Sequence, residues 1–349
     1  VSIEMDRSLL LTDLLSRVAR SFYLTLRVLP SVMREPIGLA YLLARASDTI
    51  ADTELVPSSR RLELLRAYGN AIQSESAAAP VMKDLEKHQQ DDSEAELLRV
   101  CHEAIDLLRQ TPEHNRLLIQ EVLGIIISGQ QLDLERFHSS TGEGIISLDT
   151  SDELMDYAYR VAGCVGAFWT RVSLLHLKGN PSVPPDELER LGIRFGQGLQ
   201  MVNILRDFQG DLSMGRCYLP KEKWAPTGWT PQHNNGDNPA FNSLWKDHIK
   251  LAMDCLNDGW TYTQALPSSW IRVRLSCSWP ILLGIRTLQP LANPPLPQSK
   301  PAKVPRSEVY EIMLRTIVSS PFPSVWNGLY NRFLEQYQLP EHKAETSSP

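Results

Sequence analysis

Two aspartate pairs are the residues of this sequence best suited to chemistry. Asp48 and Asp52 form one pair, and Asp207 and Asp211 form the other. Residues four positions apart lie on one face of a helix, where two carboxylates repel each other unless a cation binds them. Carboxylate oxygens are ligands that Mg²⁺ prefers, and this ion is commonly shared with substrate phosphates. The two pairs therefore predict Mg²⁺ sites that bind a diphosphate.

Each pair belongs to a polar stripe along a helix with apolar flanks. The stripes comprise Tyr41, Arg45, Asp48 and Asp52 in one segment, and Gln200, Asn203, Asp207 and Asp211 in the other. Arg45 and Arg206 add guanidinium groups, which suit phosphate oxygens. A single pair of this kind is also typical of a solvated helix face. Two pairs in otherwise apolar sequence favour diphosphate binding, because buried carboxylates are costly without a cation.

Loss of a metal-bound diphosphate from an allylic chain would leave a carbocation. Such a cation needs an apolar, aromatic cavity that excludes water. The candidate wall residues are Phe22, Tyr41, Tyr157, Phe168 and Phe195. Each of them taken singly is more typical of a core position. Tyr157 is singled out because a phenol can accept or relay a proton beside a cation.

Helical periodicity accounts for most of the chain, and no strand-like run of convincing length is present. The predicted helices span residues 8–29 with an interruption near residue 20, 37–51, 58–73, 93–108, 112–137, 151 onwards, 186–211, 241–266, 269–288, 307–318 and 325–337. We predict an all-α fold in one domain over residues 1–340, and a disordered tail over 341–349. Small residues at 162, 163, 166 and 167 would allow the close approach of another helix or of a thin ligand.

Composition argues against several classes of function. The formal net charge of −6 gives no basic signature, so nucleic acid is not expected as a partner. The five cysteines are scattered and lack CxxC spacing, which argues against a disulfide framework and a structural zinc site. No apolar run approaches the roughly 20 residues of a membrane span, and the N-terminus has no signal-peptide core. We therefore expect a cytoplasmic protein.

Three motifs, in order along the chain, resemble those of the squalene and phytoene synthase family of head-to-head prenyl transferases. They cover residues 41–52, 157–166 and 200–211, and the wider similarity runs from Ser16 to the helix after Arg306. The resemblance implies an all-α prenyl-synthase (isoprenoid synthase) fold with a central cavity. It also implies that one farnesyl diphosphate ionises and is attacked by a second, and that proton loss then gives presqualene diphosphate.

The resemblance also implies a role for each matching residue. The implied ligands of Mg²⁺ or diphosphate are Asp48, Asp52, Asn203, Asp207 and Asp211. Arg45 and Arg206 would bind the diphosphate, and Tyr157 would handle the proton of the first half-reaction. The substrate-binding set is completed by Arg20, Ser21, Phe22, Tyr41, Val161, Gly163 and Gln200.

The second half-reaction divides this family. Squalene synthases reduce the rearranged cation with NADPH, dehydrosqualene and phytoene synthases lose a proton, and a third group stops at presqualene diphosphate or adds water. Residues 161–166 and 303–306 are similar to squalene synthases, whereas residues 215–220 resemble the carotenoid enzymes. The implied NADPH-binding residues are Tyr41, Asn203, Lys303 and Arg306.

The leading hypothesis from the sequence is a soluble, bacterial-type squalene synthase, which could contact a membrane peripherally for product release. No GxGxxG motif follows a strand, so NADPH would not bind in a Rossmann site. Lys303 and Arg306 could instead form a solvated basic loop. The alternatives are a synthase of dehydrosqualene, phytoene or presqualene diphosphate and, from a different class, a non-catalytic assembly or lipid-binding scaffold.

Overall fold

The chain folds almost entirely into helices. The computed structural model describes residues 9–19, 22–137, 144–233, 238–292 and 303–336. Sixteen α-helices lie within these ranges, and the only strands in them are β1 (Ile146–Ser147) and β2 (Arg216–Cys217), which pair in parallel. The predicted all-α fold class is confirmed.

Contacts between residues divide the chain into two compact units. Unit 1 comprises residues 1–139 and 167–178, and unit 2 comprises residues 140–166 and 179–349. The single domain over residues 1–340 stays a prediction. The predicted disordered tail, residues 341–349, lies outside the described residues.

Unit 1 is built around one long helix with a mostly buried surface. Its first seven helices are α1 (Leu15–Ala19), α2 (Phe22–Val28), α3 (Ser31–Asp52), α4 (Ser58–Gln73), α5 (Lys83–Glu86), α6 (Asp92–Gln110) and α7 (Glu113–Arg136). Helix α3 packs against α4, α6 and α7. Aliphatic side chains such as Leu42, Leu43 and Ile50 are fully buried on it. The half-buried polar residues Tyr41, Arg45 and Asp48 of α3 therefore sit at the edge of a hydrophobic core.

Unit 2 contains the remaining elements and is built around α10. Its helices are α8 (Ser151–Ala158), the first three residues of α9 (Cys164–His176), α10 (Pro185–Ser213), α11 (Lys221–Trp224), α12 (Pro239–Ala265), α13 (Ile271–Leu291), α14 (Arg306–Ser319), α15 (Pro323–Asn327) and α16 (Leu329–Gln336). A π-helical turn at Tyr159–Gly163 joins α8 to α9. Helix α10 packs against this turn and against α12 and α13.

Two predicted helix boundaries are wrong. Helix α3 begins at Ser31, six residues before the predicted start, and contains Pro36. A proline removes the bond that its own nitrogen would donate, and its ring crowds the carbonyl four residues earlier. The burial of the apolar side chains of α3 outweighs this cost, so the helix continues through Pro36. The last predicted helix, 325–337, is instead split by Gly328 into α15 and α16. Gly328 is the C-cap residue of α15, a position that glycine commonly takes.

One helix, Glu113–Arg136, is long and apolar enough to cross a membrane by length and composition, contrary to the sequence prediction that no such run exists. In the structure this helix, α7, packs against α3 and α4. The Gln120 side chain donates to the Ile72 carbonyl at 2.8 Å, and Gln73 donates back to the Gln120 carbonyl at 2.7 Å. These contacts are those of a core helix.

Glycine residues bring α10 into direct backbone contact with its neighbours. A Cβ atom at Gly166 would lie 1.9 Å from the Gly192 carbonyl oxygen, and one at Gly196 would lie 2.2 Å from the Ala162 carbonyl oxygen. Real Cβ atoms do not approach backbone so closely. Of the two uses considered for the small residues of 162–167, close helix packing is therefore the one observed at Gly166.

We expect Gly196→Ala to destabilise the protein by about 1 to 3 kcal/mol or more, because the new methyl group would collide with a backbone carbonyl that cannot turn away. Gly210→Ala on the same helix is the matched control. Position 210 is exposed with no atom near its Cβ, so alanine there should add about 0.5 to 1 kcal/mol through helix propensity. Urea unfolding of both variants measures this. Equal stabilities would contradict the close approach.

Candidate active site

The first aspartate pair lies in the second half of α3, in unit 1. Tyr41, Arg45 and Asp48 are half-buried, and Asp52, the last residue of the helix, is exposed. Residues between them, such as Ile50, are fully buried. The predicted polar stripe therefore emerges from the core towards the end of the helix.

Asp48 is held by a residue that sequence reasoning missed. The side-chain nitrogen of Gln130 donates a hydrogen bond to Asp48 Oδ1 at 2.6 Å. Gln130 belongs to α7 and lies 82 positions further along the chain. No spacing rule connects residues so far apart, so only the packing of α3 on α7 reveals the contact.

Asp48 lies where burial and a neighbouring carboxylate disfavour its charged form. Burial and the neighbouring Asp52 carboxylate raise the pKa of Asp48 from its usual 3.8 to about 7. The charge of Arg45 and the Gln130 hydrogen bond act in the opposite direction, and Glu94 adds to the increase. Since burial and the neighbouring carboxylates outweigh the effects of Arg45 and Gln130, a hard cation such as Mg²⁺, which prefers oxygen ligands, would stabilise the charged form of Asp48.

Arg45, a predicted diphosphate partner, forms a half-buried salt bridge with Glu94 in the first turn of α6. Burial acts to lower the pKa of Arg45, but the hydrogen bond to Glu94 outweighs it, and the pKa lies above its usual value. Its Nε atom is buried without a hydrogen-bond partner among the described residues. The guanidinium group is therefore oriented by Glu94 and keeps one donor for another acceptor. Glu94 was also missed from the sequence.

Aromatic residues accompany the first stripe. The rings of Phe22 and Tyr41 stack with centroids 4.9 Å apart at an interplanar angle of 24°. Phe168 is buried in the part of α9 that belongs to unit 1. The predicted substrate-binding residues Arg20 and Ser21 lie outside the described residues.

The second aspartate pair lies near the C-terminal end of α10, in unit 2. Gln200, Asn203, Asp207 and Asp211 are all half-buried, whereas intervening residues such as Leu205 belong to the core. The Asn203 side-chain nitrogen lies 3.4 Å from Gln200 Oε1. The stripe therefore has the geometry that its spacing predicts.

Arg206 and Asp207 form a bidentate pair on this helix. The Nε and Nη2 atoms of Arg206 lie 2.9 and 2.5 Å from the two carboxylate oxygens of Asp207. The hydrogen bond with Asp207, aided by Asp211, raises the pKa of Arg206. The charge of Asp207 is thus partly offset by a direct salt bridge with its neighbour, whereas the hydrogen-bond partner of Asp48 is the neutral amide of Gln130. A cation at Asp207 would release this guanidinium group for a phosphate oxygen.

Tyr157 lies in the last turn of α8 and stacks on Tyr218, with ring centroids 4.7 Å apart at 21°. Tyr218 directly follows β2, whose pairing with β1 ties the chain after α10 to the segment before α8. Gly215 makes this turn possible because it adopts a left-handed φ of 77°. Residues 215–220 were noted as a motif, but Tyr218 was not recognised as the neighbour of Tyr157.

Other predicted contacts in unit 2 coincide with helix packing. A Cβ at Gly163 would lie 3.1 Å from Gln197 Cγ and 3.3 Å from the Ile193 carbonyl oxygen. Phe195 packs against Gly259 and lies 6.3 Å from Tyr262 between ring centroids. Val161 is half-buried. Contact of these residues with substrate stays a prediction.

The residues predicted to bind NADPH lie on different parts of the chain. Lys303 and Arg306 are exposed at the start of α14, and Asn203 lies on α10, all in unit 2, whereas Tyr41 belongs to unit 1. In the part of the chain that the structure describes, neither Lys303 nor Arg306 forms a salt bridge. Both cations are thus free to meet an anionic ligand.

No group of three His, Cys, Asp or Glu side chains is arranged to hold a metal ion by itself in the described ranges. Each stripe instead offers two carboxylates. Mg²⁺ usually takes one or two carboxylates and completes its coordination with water and substrate phosphates, so this donor number suits an ion shared with a diphosphate.

This chain is similar to known squalene and phytoene synthases. The family model for squalene/phytoene synthase matches residues 15–308. A bifunctional lycopene cyclase/phytoene synthase of Blakeslea trispora is 31% identical over 230 residues, which cover 64% of this chain and 34% of that protein. A squalene synthase of Saccharomyces cerevisiae is 29% identical over 249 residues, covering 70% of this chain and 50% of that enzyme. The chain therefore spans between a third and a half of the length of these relatives.

A solved structure shares the fold. The structure of TcSQS with the ligand BPH1237 superposes with a TM-score of 0.71, at 18% identity, covering 97% of this chain and 92% of the other. At this identity the similarity establishes the architecture alone, and that architecture is the predicted isoprenoid synthase fold. With the family model matching most of its length, this chain belongs to the squalene/phytoene synthase family.

Proposed function

We propose that this chain is a squalene synthase that condenses two farnesyl diphosphates through presqualene diphosphate and reduces the product with NADPH. The family comprises head-to-head prenyltransferases, which sets the reaction class. The observation that carries the proposal is that both aspartate pairs lie on helix stripes, half-buried apart from Asp52, beside arginine guanidinium groups. This is the donor set that ionisation of a prenyl diphosphate requires.

The two stripes would bind and ionise the diphosphate. Asp48 and Asp52 on α3, and Asn203, Asp207 and Asp211 on α10, would hold Mg²⁺. When bound, Mg²⁺ would neutralise the charge that develops on the departing diphosphate. Arg45, oriented by Glu94, and Arg206, released from Asp207, would donate hydrogen bonds to the phosphate oxygens.

Tyr157 would handle the proton lost in forming the cyclopropane ring of presqualene diphosphate. Its stacking on Tyr218 fixes the plane of the ring and restricts where the phenol oxygen can lie. A phenol held in one place can accept a proton from one site and pass it on without being a strong base.

Lys303 and Arg306 would bind phosphate groups of NADPH. They lie three positions apart at the N-terminus of α14, where the helix dipole also favours an anion. Glu308 in the same turn does not cancel this charge, because it is paired with Arg286 at 2.6 Å. This arrangement supports a squalene synthase over family members that need no reductant.

A synthase of dehydrosqualene, phytoene or presqualene diphosphate is the second candidate. It is favoured by residues 215–220, which resemble the carotenoid enzymes and place Tyr218 directly on the proposed proton-handling Tyr157. A non-catalytic scaffold is disfavoured because all four aspartates are present. A cytoplasmic location and a peripheral membrane contact for product release are part of the proposal.

Purified protein incubated with farnesyl diphosphate and Mg²⁺ should make squalene only when NADPH is added, and should accumulate presqualene diphosphate without it. Extraction and gas chromatography with mass detection would identify the products, with geranylgeranyl diphosphate as the comparison substrate. Dehydrosqualene or phytoene formed regardless of NADPH would establish the second candidate instead.

Asp207→Asn should reduce metal-dependent turnover by about 100-fold or more, since it weakens a proposed ligand of the Mg²⁺ that would neutralise the departing diphosphate. The fold should be retained, because the side chain is half-buried and its shape is preserved. Asp186→Asn in the exposed first turn of α10 is the matched control and should keep its activity. Unfolding of the Asp207 variant, measured by circular dichroism, would show that the residue is structural.

The stability of the metal-free protein should depend on Asp48. Its folded-state pKa of about 7 lies above the usual 3.8. Between pH 3.8 and about 7, the folded protein therefore carries a proton on Asp48 that the unfolded chain has lost. Stability should therefore fall as pH rises towards 7 and level off above it. Relative to wild type, Asp48→Asn should gain up to about 4 kcal/mol at pH 8 and little at pH 4.

Urea unfolding at a series of pH values, with chelator present, checks this dependence on Asp48. Asp52→Asn provides a second comparison, because removal of the neighbouring carboxylate should shift the same pH dependence to lower pH. If wild type and Asp48→Asn have parallel stability profiles, the carboxylate of Asp48 is compensated in the folded protein.

A further inference from the structure

Gln130 is a buried amide that faces the first aspartate pair. It lies on α7 and is 7% exposed, and its side-chain nitrogen donates to Asp48 Oδ1 at 2.6 Å. The neighbouring turns of α7 bury Ile126, Ile127 and Leu134. A polar side chain in such surroundings is costly unless its hydrogen-bonding groups are satisfied.

The other end of this amide is not satisfied. Gln130 Oε1 is buried and has no hydrogen-bond partner among the described residues. A buried acceptor left in this state costs about 1 to 3 kcal/mol, and in native proteins it usually marks a missing water, ion or ligand. The unsatisfied oxygen belongs to the same amide group that contacts Asp48, so the missing donor must lie beside the aspartate.

Gln120 on the same helix shows that an amide can join two helices through a backbone carbonyl, which is a different role from that of Gln130. Gln120 donates to the Ile72 carbonyl of α4 at 2.8 Å, which is a contact between helices. Gln130 instead donates to the side chain of Asp48, a carboxylate of the first aspartate pair, at 2.6 Å. Holding two helices together would not require a bond to this charged group.

We propose that Gln130 is a positioning residue of the metal-diphosphate site. Its N–H group holds the Asp48 carboxylate in one orientation, and its Oε1 atom accepts a hydrogen bond from a water molecule bound to Mg²⁺. Mg²⁺ usually keeps several waters, and these are strong hydrogen-bond donors. Residues that orient a metal-binding carboxylate commonly change metal affinity 10- to 100-fold when replaced. This inference rests on the proposed function.

The test measures Mn²⁺ binding by electron paramagnetic resonance, with inorganic pyrophosphate present and no prenyl substrate. Gln130→Met keeps the length of the side chain and removes both the donor and the acceptor. We expect the Kd for Mn²⁺ to rise about tenfold or more. Gln131→Met, the same change at the adjacent position of α7, should leave the Kd within twofold of wild type.

A double-mutant cycle shows whether Gln130 acts through Asp48. Gln130→Met should add little to the loss of Mn²⁺ affinity caused by Asp48→Asn, whereas independent effects would multiply. Gln130→Asn, which withdraws the amide by one methylene group, should weaken binding in the same direction and covers the case in which the methionine variant does not fold.

The outcomes distinguish this inference from the proposed function. If wild type binds Mn²⁺ with pyrophosphate and the folded Gln130 variants bind it equally well, the positioning role is overturned and the proposed function stands. If wild type binds no Mn²⁺ under these conditions, the metal-diphosphate site is overturned and the role of Gln130 with it. Weakened binding by the Gln130 variants alone supports the inference.

Discussion

The backbone contact of α10 with the π-helical turn at Tyr159–Gly163 is the constraint on which the arrangement of unit 2 depends. Gly196 and Gly166 bring α10 so near that no side chain fits between the backbones. On its other side, a Cβ at Gly198 would lie 2.8 Å from Cys255 Cβ on α12. A helix clamped on both sides cannot rotate, so the polar stripe of α10 keeps one orientation.

In unit 1 the main constraint is the cost of placing the Asp48 carboxylate at the edge of a hydrophobic core. The fold does not pair Asp48 with Arg45, which is bonded to Glu94, but with the neutral amide of Gln130. A neutral donor orients a carboxylate without cancelling its charge. The charge therefore remains available for a cation, and the metal-free protein bears the cost as a raised pKa of Asp48. If Asp48 binds a metal ion as we propose, function and stability conflict at this residue, as is usual for active sites.

Much of this architecture was predictable from local patterns. The 3.6-residue periodicity predicted the all-α class, and offsets of three and four predicted the polar stripes of α3 and α10, because both depend only on residues within a few turns. The contacts of Glu94, Gln130 and Tyr218 were not predictable, since each joins segments far apart in the chain. Helix α3 begins six residues before its predicted start also because of contacts with distant segments: burial against α6 and α7 outweighs the local cost of Pro36.

The two half-reactions of the proposed function, ionisation of the diphosphate and reduction of the cation, make different physical demands. For this reason the sequence predicts the residues for the first more clearly than those for the second. Ionisation needs several charges at fixed distances in partly desolvated positions, so its residues must lie on packed helices with a recognisable spacing. Binding a mobile reductant would need only accessible cations. Lys303 and Arg306, which we propose for this role, are exposed and show no helical pattern beyond their position before and at the start of α14. An exposed cation loses little by remaining unbound, because water solvates it well. Under the proposed function, the choice between hydride and proton loss would therefore depend on surface residues that packing does not constrain, whereas ionisation of the prenyl diphosphate would depend on stripes fixed by packed helices.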